Sequence, residues 1–570
     1  MLRPMGLAVI AAMALTGAAN LPRGVAPVVG DSLELFVAST TDMHGWMRGW
    51  DYFANRPDTT RGLSRVVTIV DSLRRAQPDR VIFVDAGDNL QGAPLATVAV
   101  RDSALPNPII AAMNAARYDA AAIGNHEFNH GLPYLRRAIE QASFPLLAAN
   151  AYAPDGRHAF AAWRMLTRGG IRVAIVGATT PGSMIWDRDK LAGRVDVRDI
   201  APSVRNAVAE ARRQGAVVVV VVMHSGLAES SSYDTVATGL PSENVAARVA
   251  REVPGIDVVV FGHTHRELAD SVIGSTLLTQ PRNWAASVSI ARLVLTRPSP
   301  GGPWTVVSRG ARIVHARGHT EDSAIVAVTQ SAHERTVAYV TAPLGATPLA
   351  WRADSARVMD TPIADFVLEV ERRTAGADLA SGAVFSLNAD FGPGAITMAD
   401  IAELYPYDNN VLRAVRISGR QLRDYLEFSA RYFRAADQHP DDMIDPSVPG
   451  FNFDIVQGVD YTIDISRPIG SRITNLSRGG RPVVDTDTFT MALNDYRQSG
   501  GGGYAMLRGA PVVYDQQQVI RQLLVDEVRR KGILRPEDYF KPNWRLAPDS
   551  LVGPTYRSMR RLPFDRPRTP

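Results

Sequence analysis

Apolar and polar positions along the first 320 residues follow two alternating patterns. Some stretches are nearly continuous in valine, isoleucine and alanine, which is typical of strands buried on both faces. These runs are LELFVAST (33–40), RVIFVDAG (80–87), YDAAAIGN (118–125), IRVAIVGA (171–178), AVVVVVVMH (216–224) and IDVVVFGH (256–263). Between them, residues 62–76, 132–142 and 242–253 place apolar residues at helical spacing. The alternation predicts an α/β fold with layered sheets and outer helices.

The pattern changes towards the middle of the chain. Three β-like runs, STLLTQP, SVSIARLVLT and WTVVSRGARIVHA, follow one another without helices, and residues 321–341 predict one long helix. The break PLGATPL comes next, and a second α/β unit follows in which Ser418 is a candidate helix cap. We expect a first domain at 31–320, a linker helix and hinge at 321–360, a second domain at 361–551 and a disordered tail at 552–570.

The N-terminus has the features of a secretory signal peptide. Arg3 provides a small positive region, Met5 to Leu15 is apolar, and small residues follow at 17–19. This arrangement predicts a signal cleaved after about residue 19. We therefore expect an exported protein, periplasmic or secreted, with no transmembrane segment once the signal is removed.

Composition excludes several classes of function. The chain has 570 residues and a net charge of +4, and its basic residues are almost all arginines scattered among acids. Binding to a nucleic-acid polymer needs clustered positive charge, so we expect no such partner. The chain contains no cysteine, which excludes disulfides, thiolate catalysis and cysteine zinc sites.

Five of the predicted strands end in potential metal ligands. The ends read TTDMHG, DAGDNLQG, GNHE, VVMHSG and FGHTH. In open α/β sheets, ligands bind at the carboxyl edge of the strands. The candidate metal ligands at this edge are Asp42, His44, Asp88, Asn125, His224, His263 and His265.

The ligand types indicate a site for two ions. Imidazole and carboxylate together suit Zn²⁺, Mn²⁺ or Fe rather than Ca²⁺. Seven candidates exceed the needs of one tetrahedral site, so two divalent ions that share a carboxylate are the economical prediction. Such a pair suits the cleavage of phosphoesters.

In this order, the motifs DMHG, GDNLQG, GNHE, VMHSG and GHTH resemble the calcineurin-like metallophosphoesterases, and the second half resembles the C-terminal domain of the secreted 5′-nucleotidases. The resemblance implies a four-layer sandwich of two sheets flanked by helices, followed by a nucleoside-binding α/β domain. It also implies that Asp42, His44, Asp88 and His265 hold one ion, that Asp88, Asn125, His224 and His263 hold the other, and that Asp88 bridges them. His126 would be catalytic and face the phosphate, as an imidazole can near neutral pH.

Asn129 points to a subfamily. The 5′-nucleotidase motif resembles GNHEFD, whereas this chain has GNHEFN at 124–129. That form, together with GFNFDIVQGVDYTIDI at 450–465, resembles the periplasmic 2′,3′-cyclic-nucleotide 2′-phosphodiesterase/3′-nucleotidases. The alternatives are a 5′-nucleotidase or nucleotide-sugar (UDP-sugar) hydrolase and a non-catalytic nucleotide-binding surface protein.

By the same resemblance, the second domain holds the nucleotide base. Tyr407 and Tyr496 occupy the two stacking positions of the family, and Asn409 is a candidate polar contact. Two features depart from the 5′-nucleotidase pattern. GGGGY stands where that family has GGDGY, so Gly502 replaces an aspartate that would hold ribose, and FSLNADF at 385–391 lacks the GGIR arginine.

Overall fold

The computed structural model describes residues 31–231, 233, 235–407, 410–434 and 442–559. The predicted signal peptide lies outside these residues. Two six-stranded sheets make up the first half. In spatial order, one contains Thr305–His315, Ser287–Arg297, Asp31–Thr40, Val81–Asp85, Ala120–Ala122 and Leu146–Leu147. The other contains Leu268–Ile273, Thr276–Gln280, Val258–Phe261, Val218–His224, Ile171–Thr179 and Trp163–Arg168.

The two sheets pack face to face. Leu35 and Val37 of one sheet share a buried cluster with Val218 and Val220 of the other. The intervening side chains point to the opposite face, as the pleat of a strand requires, and Phe36 packs in a cluster that contains helices. Each sheet is thus covered on both faces, and the predicted four-layer sandwich is confirmed.

Helices form the outer layers of this sandwich. They are Leu63–Ala76, Pro94–Arg101, Pro108–Ala115, Gly131–Gln141, Ser183–Trp186, Arg188–Leu191, Ile200–Arg213, Thr235–Thr238, Ala246–Glu252 and Ser323–Thr341. Short strand pairs join Trp50–Asp51 to Arg56–Pro57 and Ala151–Tyr152 to Asp196–Val197. In the part of the chain that the structure describes, no helix has both the length and the apolarity needed to cross a bilayer.

The central strands of both sheets are parallel. Val84 pairs with Ser39 on one side and with Ala120 on the other, and Val222 lies between Gly177 and Val260. Parallel strands present their carboxyl ends at the same edge, and the loops that carry the candidate ligands leave from there.

Helix Ser323–Thr341 belongs to the first half. Asp322 caps it by accepting hydrogen bonds from the amides of Ala324 and Ile325, each at 3.0 Å. Ile325 and Val340 are fully buried in the core that contains the first sheet. The helix predicted over 321–341 is therefore present, and it packs on the first half of the chain.

The segment predicted as a hinge is built into the second half. Strand Pro343–Thr347 pairs with Gly394–Thr397, and Trp351 is 1 % exposed in the C-terminal core. The indole lies against Phe366 with ring centroids 6.2 Å apart. Burial of a side chain this large is strongly favourable, so residues 343–358 pack with the C-terminal unit.

The second half contains two larger sheets. One has the order Asp454–Gln457, Leu379–Ala383, Thr488–Asn494, Val411–Ser418 and Val512–Val519, and the other has Arg481–Pro482, Ile473–Arg478, Asp460–Asp464 and Trp544–Ala547. The helices are Pro362–Ala375, Met398–Leu404, Gly419–Ser429, Asp495–Gln498, Ile520–Lys531 and Asp549–Met559. As predicted, Ser418 caps its helix, and its hydroxyl accepts from the Gln421 amide at 3.1 Å.

The predicted start of the disordered tail was wrong. Helix Asp549–Met559 covers its first residues, and Thr555 and Met559 are fully buried. The high content of proline and arginine suggested disorder, although this helix has an apolar face that packs on the core. Residues 560–570 lie outside the described part of the chain.

Candidate metal centre

The candidate ligands lie where the strand order predicts. Asp42 and His44 follow strand Asp31–Thr40, and Asp88 follows Val81–Asp85. His224 is the last residue of its own strand in the second sheet. Because the two sheets pack face to face, their carboxyl edges bring these side chains into one cluster.

Asp42 lies on one side of the cluster. Its Oδ1 atom is 3.4 Å from Nε2 of His265 and 3.9 Å from Nε2 of His224. Nε2 of His44 is in turn 3.0 Å from Nε2 of His265. Asp42, His44 and His265 therefore point their ligand atoms at a common space.

Asp88 lies at the centre of the cluster. Its Oδ2 atom is 2.9 Å from Nε2 of His224 and 3.9 Å from Nε2 of His126. Nδ1 of His263 is 3.2 Å from the same His224 nitrogen. Asp88 belongs to two groups of three residues whose ligand atoms all lie within 4.8 Å of one another. It is the geometric candidate for a shared ligand.

Asn125 supplies an independent test of whether a cation fits here. Its Oδ1 atom is buried and has no hydrogen-bond partner among the described residues. Leaving such an oxygen unsatisfied is costly, and a cation would satisfy it. Imidazole, carboxylate and amide oxygen together form a donor set for divalent transition metals. The residues therefore fit the divalent metal ions that the motifs imply.

Backbone carbonyls orient two of the imidazoles. Nδ1 of His224 lies 2.8 Å from the carbonyl oxygen of Ala86, and Nδ1 of His44 lies 3.0 Å from that of Gln91. A carbonyl only accepts, so Nδ1 carries a proton in both rings, and Nε2 is the nitrogen that faces the cluster and could bind a cation.

His263 turns Nδ1 rather than Nε2 towards the cluster, because Glu243 binds its Nε2 atom on the side away from the cluster. Nε2 of His263 is 2.6 Å from Oε1 of Glu243, so Nδ1 faces the cluster. The sequence analysis did not identify Glu243. It is buried and lies in the segment after strand Val218–His224, the fourth of the five ligand strands, where no pattern in the sequence marks it.

Glu127, also not identified from the sequence, braces the loop that carries Asp88. Its buried carboxylate accepts from the amides of Asp88 at 2.9 Å, Asn89 at 2.6 Å and Gly124 at 2.6 Å. Burial raises the pKa of Glu127, Asp88 raises it further, and the amides partly offset this shift. The acidic residue of GNHE thus joins two ligand loops and does not point at the cluster.

Five ligand residues adopt a left-handed backbone conformation, which non-glycine residues rarely do. Their φ angles are 51° for Asp42, 47° for His44, 65° for Asp88, 73° for His263 and 55° for His265. Strain of this kind concentrates at functional sites, where surrounding structure holds it.

Two glycines permit the loops to approach the ligands closely. A Cβ atom on Gly262 would lie 1.9 Å from Oγ1 of Thr41 and 2.7 Å from Oδ2 of Asp42. A Cβ atom on Gly124 would lie 2.2 Å from Oδ1 of Asp88. Neither position has space for a side chain.

Electrostatics keep the carboxylates anionic. Burial alone would raise the pKa of Asp88, but the His224 and His126 imidazoles hold it well below its usual range. Burial lowers the pKa of His44 to about 3, with the charge of His265 as the next cause. Burial alone would lower the pKa of His224, but the charge and hydrogen bond of Asp88, together with the charge of Asp42, raise it to about 10. Anionic oxygens and a neutral His44 are the forms that bind a cation.

His126 stands beside the cluster. Its ring centroid is 5.1 Å from that of His44, and its amide donates to Oδ1 of Asp88 at 2.8 Å. Its Nδ1 atom points away, 2.6 Å from Oδ1 of Asn129. Nε2 is therefore the nitrogen that faces the centre.

The two predicted stacking tyrosines leave the same edge of the C-terminal sheet. Leu412 pairs with Asn494 across the antiparallel strands, so Tyr407 before one strand and Tyr496 after the other lie at the same end. Asn409 lies outside the described residues. Phe385 packs edge-on against Tyr407, with centroids 5.0 Å apart.

Trp186 connects the two halves at this edge. Its ring lies 5.6 Å from that of His263 at 30°, and 6.4 Å from that of Tyr496. Trp186 thus lies between the base-binding candidate Tyr496 of the second half and the candidate metal ligand His263 of the first. Trp186 is the last residue of helix Ser183–Trp186, beyond the end of strand Ile171–Thr179, so no ligand pattern at a strand end marks it.

A fold and site of this kind define the metal-dependent phosphoesterases. The sequence profile of the calcineurin-like phosphoesterases matches residues 37–267, and that of the 5′-nucleotidase C-terminal domain matches residues 337–509. The chain thus contains a calcineurin-like phosphoesterase domain followed by a 5′-nucleotidase C-terminal domain, and it is a phosphoester hydrolase. The resemblance of its motifs to this family is confirmed.

Individual relatives cover most of the chain. The 2′,3′-cyclic-nucleotide 2′-phosphodiesterase/3′-nucleotidase of Salmonella typhimurium is 29 % identical over 92 % of this chain and 90 % of its own length. The trifunctional nucleotide phosphoesterase protein YfkN of Bacillus subtilis is 27 % identical over 92 % of this chain, which spans 40 % of that longer protein. A solved structure of a candidate 5′-nucleotidase from Staphylococcus aureus matches with a TM-score of 0.78 and 26 % identity, over 90 % of this chain and 100 % of that one.

Proposed function

We propose that this chain opens 2′,3′-cyclic nucleotides to 3′-nucleotides and removes the 3′-phosphate. The observation that carries the proposal is the central position of Asp88, whose carboxylate is grouped with His44 and His126 on one side and with His224 and His263 on the other. The name and coverage of the Salmonella relative support the choice of substrate. Gly502 also supports this choice of substrate. A Cβ atom at this position would lie 2.2 Å from Nη1 of Arg497, so there is no space for the ribose-binding aspartate of a 5′-nucleotidase.

Two divalent ions, zinc or manganese, are part of the proposal. Asp42, His44, Asp88 and His265 would hold one, Asp88, Asn125, His224 and His263 the other, and Asp88 would bridge them. When bound, such ions polarise a phosphoryl oxygen and lower the pKa of water.

His126 would then act on the substrate. Oδ1 of Asn129 accepts a hydrogen bond, so the proton of His126 lies on Nδ1 and Nε2 is the atom that exchanges a proton. Nε2 faces the centre, where it would protonate the leaving alkoxide or stabilise charge on the phosphate.

The second half would hold the base. Tyr407 and Tyr496 would stack on it, at roughly 1–3 kcal/mol for each stacked base, and Asn409 would offer a polar contact. The ribose 2′/3′ edge then faces the metal centre, which suits both the cyclic and the 3′ substrate. Cleavage of the signal at about residue 19 and export to the periplasm or medium complete the proposal.

A substrate panel tests it. Purified protein supplied with Mn²⁺ or Zn²⁺ is given 2′,3′-cyclic AMP, 3′-AMP, 5′-AMP and UDP-glucose, and released phosphate and product are measured. We expect kcat/KM to be highest for the first two. A preference for 5′-AMP or UDP-glucose would contradict the choice of substrate, and no turnover with bound metal would favour a binding protein. The Tyr496→Ala variant should raise KM for 3′-AMP and leave bis(p-nitrophenyl) phosphate hydrolysis unchanged.

A further inference from the structure

A chain of hydrogen bonds leads away from the metal centre through His126. Oδ1 of Asn129 accepts from Nδ1 of His126 at 2.6 Å. Nδ2 of Asn129 donates to Asp187, at 3.0 Å from Oδ2 and 3.2 Å from Oδ1. Nζ of Lys190 lies 3.2 Å from Oδ1 of the same carboxylate. An imidazole, an amide, a carboxylate and an ammonium thus follow one another.

The carboxylate of Asp187 fixes the direction of the hydrogen bonds in this series. An ionised carboxylate only accepts hydrogen bonds, so the Asn129 amide must turn its NH₂ group towards Asp187. Its oxygen must then face His126, and the His126 proton must lie on Nδ1. If Asp187 were removed, the amide could turn over and offer NH₂ to Nδ1, which would move the proton to Nε2.

The position of Asp187 is costly unless these contacts stabilise it. Its side chain is 1 % exposed, and a buried carboxylate needs paired donors. It precedes helix Arg188–Leu191, but its carboxylate makes no capping hydrogen bond there. Capping, the ordinary role of an aspartate at this position, therefore does not explain it.

We propose that Asp187 is a positioning residue for His126, acting through Asn129 and held in place by Lys190. GNHEFD would place a carboxylate directly beside the histidine, whereas here the side chain of Asn129 lies between His126 and the carboxylate. The carboxylate comes from the loop after strand Ile171–Thr179, in the opposite sheet. The proposal rests on the proposed role of His126.

A carboxylate swap tests the proposal. Asp187→Ala should lower kcat by about 10-fold or more, with metal content unchanged and KM within about twofold. Asn129→Asp alone should also lower kcat, because two buried carboxylates would face each other. The double variant Asn129→Asp/Asp187→Asn restores one amide and one carboxylate, and it should recover kcat several-fold over Asn129→Asp. The control is Asp189→Ala, since Asp189 contacts the same Lys190 at 3.3 Å but its side chain is 46 % exposed.

Bis(p-nitrophenyl) phosphate at saturating Mn²⁺ is the probe, so that the outcome does not depend on nucleotide preference. Equal kcat values for Asp187→Ala and Asp189→Ala would overturn the proposal, as would a double variant no better than Asn129→Asp. If Asp187→Ala folds poorly, the Asn129→Asp/Asp187→Asn variant still tests the proposal, because neither of its two substitutions removes side-chain volume. A His126→Ala variant with unchanged kcat would instead refute the proposed role of His126, whatever the nucleotide panel gives.

Discussion

The guanidinium of Arg521 donates a hydrogen bond to Oγ1 of Thr97 at 3.3 Å, and so joins the C-terminal unit to a helix beside the metal centre. Nε of the same side chain donates to the carbonyl oxygen of Tyr405 at 2.8 Å. Arg521 is 4 % exposed. One buried cation thus positions the segment that leads to Tyr407 against the catalytic half.

Removing this cation should affect nucleotide binding before chemistry. Hydrogen bonds to charged groups are worth roughly 1.5–3 kcal/mol, so Arg521→Ala should raise KM for 3′-AMP by about 10-fold. The value of kcat/KM for bis(p-nitrophenyl) phosphate should stay within about twofold. Steady-state kinetics with both substrates check this, and Arg529→Ala, exposed on the same helix, is the matched control. An equal loss with both substrates would place the effect of Arg521 at the metal centre instead.

Asp88 and His126 should separate metal binding from catalysis. Asp88→Ala should lose both activity and metal, because two ligand groups share its carboxylate. His126→Ala should keep its metal and lose kcat by about 10²–10⁴-fold, the usual range of general acid–base catalysis. Metal analysis beside kinetics distinguishes the two, and chelation followed by Mn²⁺ addition should restore wild-type protein only. Full metal content in Asp88→Ala would refute the bridging role.

Gly262→Ala should disable the site without disturbing the core. The added Cβ would meet Thr41 and Asp42 at 1.9 and 2.7 Å, so the loop that carries His263 must shift. We expect a much weaker metal affinity, measured by titration, and a small change in melting temperature. Gly553→Ala is the control, because its nearest neighbour would be 3.7 Å away. Wild-type metal affinity in Gly262→Ala would mean that the loop tolerates the shift.

The stability of the C-terminal unit should depend on pH through Asp365. Burial raises the pKa of Asp365 to about 8, with Asp360 as the next cause. An unfolded aspartate has a pKa of about 4, so between about pH 4 and 8 the folded protein holds a proton that the unfolded chain has released. The contribution of Asp365 to the free energy of unfolding is therefore greatest at low pH and decreases as the pH rises through this window.

Asp365→Asn isolates this effect, since asparagine does not titrate. The melting temperature of the wild type should fall further between pH 5.5 and 8.5 than that of the variant. Other titrating groups act equally on both proteins, so only the difference between the two curves counts. Parallel curves would show that Asp365 is ionised in the folded state.

The positions of the candidate ligands could be predicted from the sequence because the signal was local. Each ligand lies within a few residues of a strand end, and the apolar runs mark those ends clearly. Parallel strands then bring Asp42 and Asp88 together without any knowledge of side-chain packing. The helix over 321–341 and the cap at Ser418 depended on equally local patterns.

The rest depended on contacts between distant segments. Glu243 and Asp187 reach the site from loops whose positions are set by the packing of one sheet on the other. Trp351 lies just after the break PLGATPL, in the segment expected to act as a hinge, yet it packs against Phe366 in the C-terminal core. Met559 is likewise buried within a segment whose composition suggests disorder. Composition cannot reveal burial that is supplied by another part of the chain.

The left-handed φ angles of the ligands place the stability of the folded protein in conflict with its activity. Each costs of order 1–3 kcal/mol, and glycine would relieve that cost. Replacement of His265 by glycine, where the lost side chain is 39 % exposed, should therefore make the metal-free protein harder to unfold while it weakens the centre. Selection for thermal robustness alone would erode this enzyme at its most essential positions first.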